Sequence, residues 1–139
     1  MSSPARFACI DPRAVSIVWP LARDFIKSAV ERVGVSDFEL IESEVLGGDQ
    51  LLWIAFADGA PPIVEAAATT QLVSASGDLV CVLVACGGRD RRRWLPFLEQ
   101  IEAYAKAEGS SKMRIYGRKG WERVLEGYRS KCVVLDRDL

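Results

Sequence analysis

The chain has no histidine among its 139 residues. That removes the side chain that titrates near neutrality, and with it His-based triads, His general bases and His metal ligands. Its four cysteines, Cys9, Cys81, Cys86 and Cys132, show no CxxC spacing, which argues against zinc and thioredoxin-like sites. Cys81 and Cys86 sit in an apolar run and read as small buried hydrophobes. No apolar run reaches the roughly 18 residues of a membrane span, and no signal peptide is visible. The charges nearly cancel, 18 basic against 19 acidic, which argues against a long polyanion such as nucleic acid as partner. A reduced, cytoplasmic protein fits these absences.

What is present is a globular profile. Half of the residues are hydrophobic and 27% are charged, and the length suits one domain over residues 1–139 with a single core. No repeat, low-complexity segment or linker interrupts it.

The chain is organised around residues 79–126. The apolar run 79–86 is bounded by turn residues, as in a strand buried on both faces and paired in parallel. A turn follows, Gly87-Gly88-Arg89-Asp90-Arg91-Arg92-Arg93. The next amphipathic run has Trp94, Phe97, Leu98, Ile101 and Ala105 on one face, and Pro96 in the first turn places its start near Arg93. A strand at 112–116 and a helix at 119–126, burying Trp121, Val124 and Leu125, complete the stretch. Backbone N–H groups at a helix start favour anions, and four arginines add charge-assisted hydrogen bonds. A local anionic ligand or a plain solvated loop would each account for them.

Upstream, residues 6–10 read as a short strand. Asp11-Pro12 reads either as its stop or as the start of a helix. The stripe Trp19, Ala22, Phe25, Ile26, Ala29, Val30 and Val33 predicts a helix starting near Trp19, with Pro20 in the first turn and Gly34 as stop. Ser36 and Glu39 suggest a capping box for a second helix to about Val45. Residues 51–57, 63–73 and 79–86 read as an antiparallel meander, and 132–135 as a final strand. The helix between the third meander strand and 112–116 allows those two to lie parallel with a right-handed crossover. The expected class is α/β (α+β), a mixed and mostly antiparallel sheet of about six strands flanked by about four helices.

This order resembles the GNAT acetyltransferase fold. Ile101-Glu102, Ala105, Gly109, Gly117-Arg118-Lys119-Gly120-Trp121, Leu125 and Gly127-Tyr128 are similar to the GNAT-like proteins of tailed phages and prophages. The pairs Trp19-Pro20 and Leu52-Trp53 add to the likeness, which covers nearly the whole chain. The resemblance implies that the loop after the fourth strand wraps the coenzyme A pyrophosphate, with acetyl-CoA as cofactor. The family motif there is Arg/Gln-x-x-Gly-x-Gly/Ala. Arg89 stands for its first residue, but Arg92 and Trp94 occupy the glycine positions, so the motif is degenerate. The implied cofactor site comprises Val82, Val84, Ala85, Gly87, Gly88, Arg89, Arg91, Arg92 and Arg93, the backbone of 82–85 polarising the thioester carbonyl.

The family's tyrosine on the last helix, a general acid toward the departing thiolate, would fall near Arg123 or Val124 and is absent; Tyr116 and Tyr128 are the substitutes. For the base that takes a proton from the amine, Glu65 and Glu44 are the carboxylates nearest the expected cleft, with Asp78 in a turn as a third. Trp53 and Trp121 read as core or cleft wall, and Arg118 as a contact to phosphate or to a partner's acidic group, or as a plain surface residue. Two functions follow from the resemblance. One is an acyltransferase from acyl-CoA to an amine. The other is a catalytically inactive relative serving as a phage structural or assembly component, or binding a host protein in the host cytoplasm. The chain could also bind copies of itself; no membrane partner is expected.

Overall fold

A computed structural model describes residues 5–117 and 119–139, with the side chain of Lys119 also excluded. Five strands form one sheet in the order β1-β2-β3-β4-β5. They are β1 (Arg6–Cys9), β2 (Leu51–Ala57), β3 (Ile63–Ala75), β4 (Asp78–Gly88) and β5 (Lys112–Ile115). The first four pair antiparallel and β4 pairs β5 in parallel. The helix-linked step between β4 and β5 is therefore the crossover that the sequence allows.

Alternation along the strands sends residues to two cores. Leu52, Ile54 and Ala67 pack with α1 (Val15–Val33) and α2 (Phe38–Leu46) on one face. Trp53, Ala68 and Leu83 pack with Ile101 of α4 (Leu98–Ala107) on the other. Both faces are covered, which is why β2 and β4 read as nearly continuous apolar runs.

α1 begins at Val15, four residues before the start expected from Pro20. A 3-10 turn, Pro12–Ala14, leads into it, with Asp11 accepting from the Arg13 N–H. Asp11-Pro12 is thus the helix signal. Pro20 lies inside the helix on its exposed side, where the carbonyl left without an amide partner can turn to water. Gly34 closes α1 in the left-handed conformation (φ 76°). Its N–H donates to the Val30 carbonyl at 2.9 Å. α2 is capped by Asp37, whose side chain accepts from the Glu39 N–H, and not by Ser36.

Further boundaries differ from expectation. β4 runs through Gly87 and Gly88, so the turn is only Arg89-Asp90, and α3 (Arg91–Trp94) starts two residues before Arg93. Pro96 is accommodated in a separate 3-10 turn, Leu95–Phe97, ahead of α4. The expected helix at 119–126 is a 3-10 turn, Lys119–Arg123, because a segment this short that contains Gly120 does not repay helix nucleation. Residues 132–135 form no strand, and among the described residues no strand pairs with them. Among the described residues the sheet therefore has five strands and not six. Among the described residues, no helix is long and apolar enough to cross a membrane.

Candidate functional site

The site arises where β4 and β5 part. Their pairing ends at Leu83 and Ile115, while β4 continues to Gly88 along β3. The parting coincides with a bulge. Thr69 pairs with Ala85 and Thr70 with Leu83, so Val84 is an extra residue. Val84 and Ala85 consequently both pack toward α1, where strict alternation would separate them.

The opening is a cleft of about 180 Å³. Its walls are the end of α1, β4 from Leu83 to Gly88, the chain after Ile115, and the indoles of Trp94 and Trp121. Those indoles lie 6.1 Å apart at a 46° tilt. Arg32 and Arg91 supply its cationic side chains, and Ser36 and Tyr116 its hydroxyls. Among the described residues the lining holds no carboxylate. Ligand pockets commonly run from roughly 300 to 1,000 Å³, so a space this size suits the end of a long ligand whose remainder lies along the rim.

A second bulge sits beside it. Ala55 pairs with Ala66 and Phe56 with Val64, which makes Glu65 the extra residue of β3. The Glu65 carboxylate accepts from Arg93 twice, at 3.0 and 2.9 Å, and its carbonyl accepts from the Arg89 N–H at 2.8 Å. The arginine turn is therefore clamped onto β3. Arg89 itself reaches back over the Phe25 ring at 5.8 Å. Arg91 and Arg92 are exposed.

The two glycines of the turn sequence serve packing. A Cβ on Gly87 would stand 2.7 Å from the Phe25 carbonyl of α1, and one on Gly88 would stand 2.3 Å from the Ala66 Cβ. Helix and strand approach so closely that no side chain fits at either place.

The structure brings Val84, Ala85, Gly87, Gly88, Arg91 and Tyr116 together around the cleft. Val82 lies deeper, paired with Gln71 on one side and Arg114 on the other. Glu65 and Arg93 face each other beside the cleft and not into it. Glu44 accepts from Gln50 at 2.7 Å and Gln71 at 3.4 Å, next to the paired part of β4. Asp78 begins β4 at its other end. The Tyr128 hydroxyl donates to Glu102 at 2.6 Å, and burial, together with that carboxylate, raises its pKa. Trp53 is core; its indole N–H donates to Thr70 at 2.9 Å. Arg118 lies outside the described residues. Burial pushes the Cys86 thiol at the cleft wall up to about 12 and Cys81 up to about 11, which leaves both unreactive.

Arg32 and Trp94 are the wall residues that a motif reading misses as binding groups. Arg32 follows from no local pattern, because its side chain reaches the cleft only through the docking of α1 on β4. Trp94 was marked by its place at a family glycine position, but that signal reads as a loss.

No family model and no curated protein matches the chain. Solved structures do match in shape. An aminoglycoside acetyltransferase from an uncultured soil metagenomic sample, crystallised with sisomicin, superposes with a TM-score of 0.70 at 8% identity, covering 97% of this chain and 96% of that one. A predicted acetyltransferase from Clostridium acetobutylicum, crystallised with acetyl-CoA, gives 0.63 at 12% identity, with 96% of each chain covered. A GNAT family acetyltransferase from Staphylococcus aureus gives 0.63 at 10% identity over the full length of both. At such identities the likeness speaks for architecture alone, and the architecture is that of the GNAT acetyltransferases.

Proposed function

We propose that the chain transfers an acyl group from acyl-CoA to an amine. The observation that carries this reading is the parting of β4 from β5 at Leu83, which turns strand backbone at 84–86 toward a cleft flanked by Arg32 and Arg91. The fold it shares with acetyltransferases supports the same class of chemistry.

The residues present fit the coenzyme in charge and shape. Arg32 and Arg91 would hold its phosphates, as guanidinium groups do, and the narrow walled end would take the thioester. The glycines add little, since packing already uses their free space. When bound, acyl-CoA supplies an acyl group activated as a thioester. Backbone N–H groups of β4 beyond Leu83, where its pairing with β5 has ended, would polarise the carbonyl oxygen where negative charge develops. The indoles of Trp94 and Trp121 exclude water and fix the approach of the amine. The amine nitrogen would bond to the carbonyl carbon as the carbon–sulfur bond breaks, and the Tyr116 hydroxyl at the rim would give its proton to the departing sulfur and regain one from solvent.

With no carboxylate in the described lining, the amine gives up its proton to solvent through the open mouth. Glu65 then acts by holding Arg93, and Glu44 stays with its glutamines. The rate accordingly rises with pH until the acceptor amine is deprotonated. The same lack of a carboxylate, with Arg92 and Trp94 at family glycine positions, favours a second reading. In it the chain keeps the cleft for binding and has lost turnover, as a phage assembly component or host-protein binder.

Calorimetric titration with acetyl-CoA decides first. Micromolar binding that Arg32→Ala/Arg91→Ala weakens at least roughly tenfold supports the cofactor site. No heat up to millimolar acetyl-CoA overturns it. Binding without turnover across an amine panel supports the second reading.

A further inference from the structure

Behind the cleft lies a second cavity, between the sheet and the stretch from α3 to α4, with a volume of about 20 Å³. Leu83, Cys86, Trp94 and Trp121 line both spaces and so form the partition between them. The far wall is built of small residues. Ala55 and Ala66 pair across β2 and β3, and Ala68 follows two positions along β3; all three line the cavity. Phe97, Leu98 and Ile101 cover them from the helix side. Among the described residues, the lining holds no charged, amide or hydroxyl side chain. Walls of this kind stay dry and take apolar occupants.

We propose that this cavity receives the tail of the donor's acyl group, so that the chain prefers acyl groups of three or four carbons over acetyl. The inference rests on the acyltransferase reading and names its donor. The cavity abuts the narrow end of the cleft, where the thioester would sit. Trp121 of the partition belongs to a 3-10 turn and is partly exposed, so its indole can turn aside without opening the sheet. Trp94 is 8% exposed, and its N–H has no partner among the described residues. A thioester carbonyl brought to the partition supplies the missing acceptor.

Size sets both limits of the preference. A water molecule occupies roughly 10–15 Å³ of such space, so a cavity of about 20 Å³ admits one or two carbon atoms. The methyl of an acetyl group stops short, at the partition. Propionyl and butyryl groups place their last one or two carbons among the alanines, and each methylene buried there raises affinity roughly fourfold. A much longer chain overfills the space, because a close-packed core resists expansion.

Calorimetric titration of the full chain with acetyl-, butyryl- and octanoyl-CoA tests this. Butyryl-CoA should bind on the order of tenfold tighter than acetyl-CoA, and octanoyl-CoA more weakly than butyryl-CoA. Ala68→Val, which fills the cavity from β3, should abolish the difference between butyryl- and acetyl-CoA. Should that variant fail to fold, Leu98→Ala, which widens the cavity from α4, should move the preference toward octanoyl-CoA. Acetyl-CoA bound as tightly as butyryl-CoA overturns the inference and leaves the acyltransferase reading standing. A steady rise from acetyl- to octanoyl-CoA also overturns it, since it marks general adhesion of the alkyl chain. So does a butyryl-CoA preference that both substitutions leave intact. Failure of all three thioesters to bind up to millimolar overturns the inference and the reading beneath it together.

Discussion

The guanidinium of Arg93 holds the carboxylate of Glu65 with two parallel hydrogen bonds, Nε to Oε2 at 3.0 Å and Nη2 to Oε1 at 2.9 Å. One partner is the extra residue of β3 and the other lies in the first turn after β4. The pair is three-quarters or more buried, with side chains 25% and 17% exposed, and its forked geometry fixes both ends of the turn.

Glu65→Gln should therefore lower the Tm by on the order of a few degrees, and Arg93→Lys, which lacks the fork, should do much the same. Acetyl-CoA affinity should fall with the Tm, because the turn carrying Arg91 loosens. Were Glu65 the base, Glu65→Gln would abolish turnover at an unchanged Tm. Thermal melts beside steady-state kinetics separate the two.

Gly87→Ala and Gly88→Ala should each destabilise the chain by about 1–3 kcal/mol through overpacking. The Cβ atoms would meet the Phe25 carbonyl and the Ala66 Cβ inside contact distance. Urea unfolding checks this. Unchanged stability with lost acetyl-CoA binding would return the glycines to the ligand.

Two indoles make a paired test. Thr70→Val removes the acceptor of the Trp53 N–H in the core, leaving a buried donor unsatisfied at a cost of about 1–3 kcal/mol. Among the described residues the buried Trp94 N–H has no partner, so Trp94→Phe should cost less stability than Trp53→Phe. Denaturant midpoints at equal m-values make the comparison.

Stability should fall in acid partly through Glu42. Its carboxylate accepts from Arg23 and from the Trp19 indole, which clamp α1 to α2, and these bonds, Arg23 first, hold its pKa below the usual 4.5. A depressed carboxylate stabilises fully above its unfolded value and loses that contribution as pH falls through the folded one. Glu42→Gln should be less stable than the parent chain at pH 7. Below about pH 4.5 the difference should shrink. Urea titrations at both pH values provide the check.

The five strands found were legible because each forms a short apolar run bounded by turn residues: Leu51–Ala57 begins and ends where expected. The equally apolar 132–135, by contrast, has no strand beside it among the described residues and stays irregular. Helix limits were not, since Pro20 and Pro96 were read by one rule. Pro20 sits inside α1 with its exposed side toward water, while Pro96 breaks its run into α3, a 3-10 turn and α4. The arginine turn was legible as a site, but its partners were not. Arg93 finds Glu65 through a bulge, and Arg32 finds the cleft through helix docking. Both relations span dozens of residues, and no local pattern encodes them.

Both bulges lie next to the site, at Glu65 and at Val84. The cleft is thus specified by length, as two additional positions in otherwise regular strands, and not by any unusual side chain. Deleting Val84 would restore even pairing with β3, leave Ala85 to Gly88 opposite the partners they already have, and remove the bend that the extra residue puts into β4 beside the cleft. The loss of one codon at either bulge would straighten the strand there and spare every paired residue. Substitution scans would pass over that coordinate, because each of them keeps the count intact.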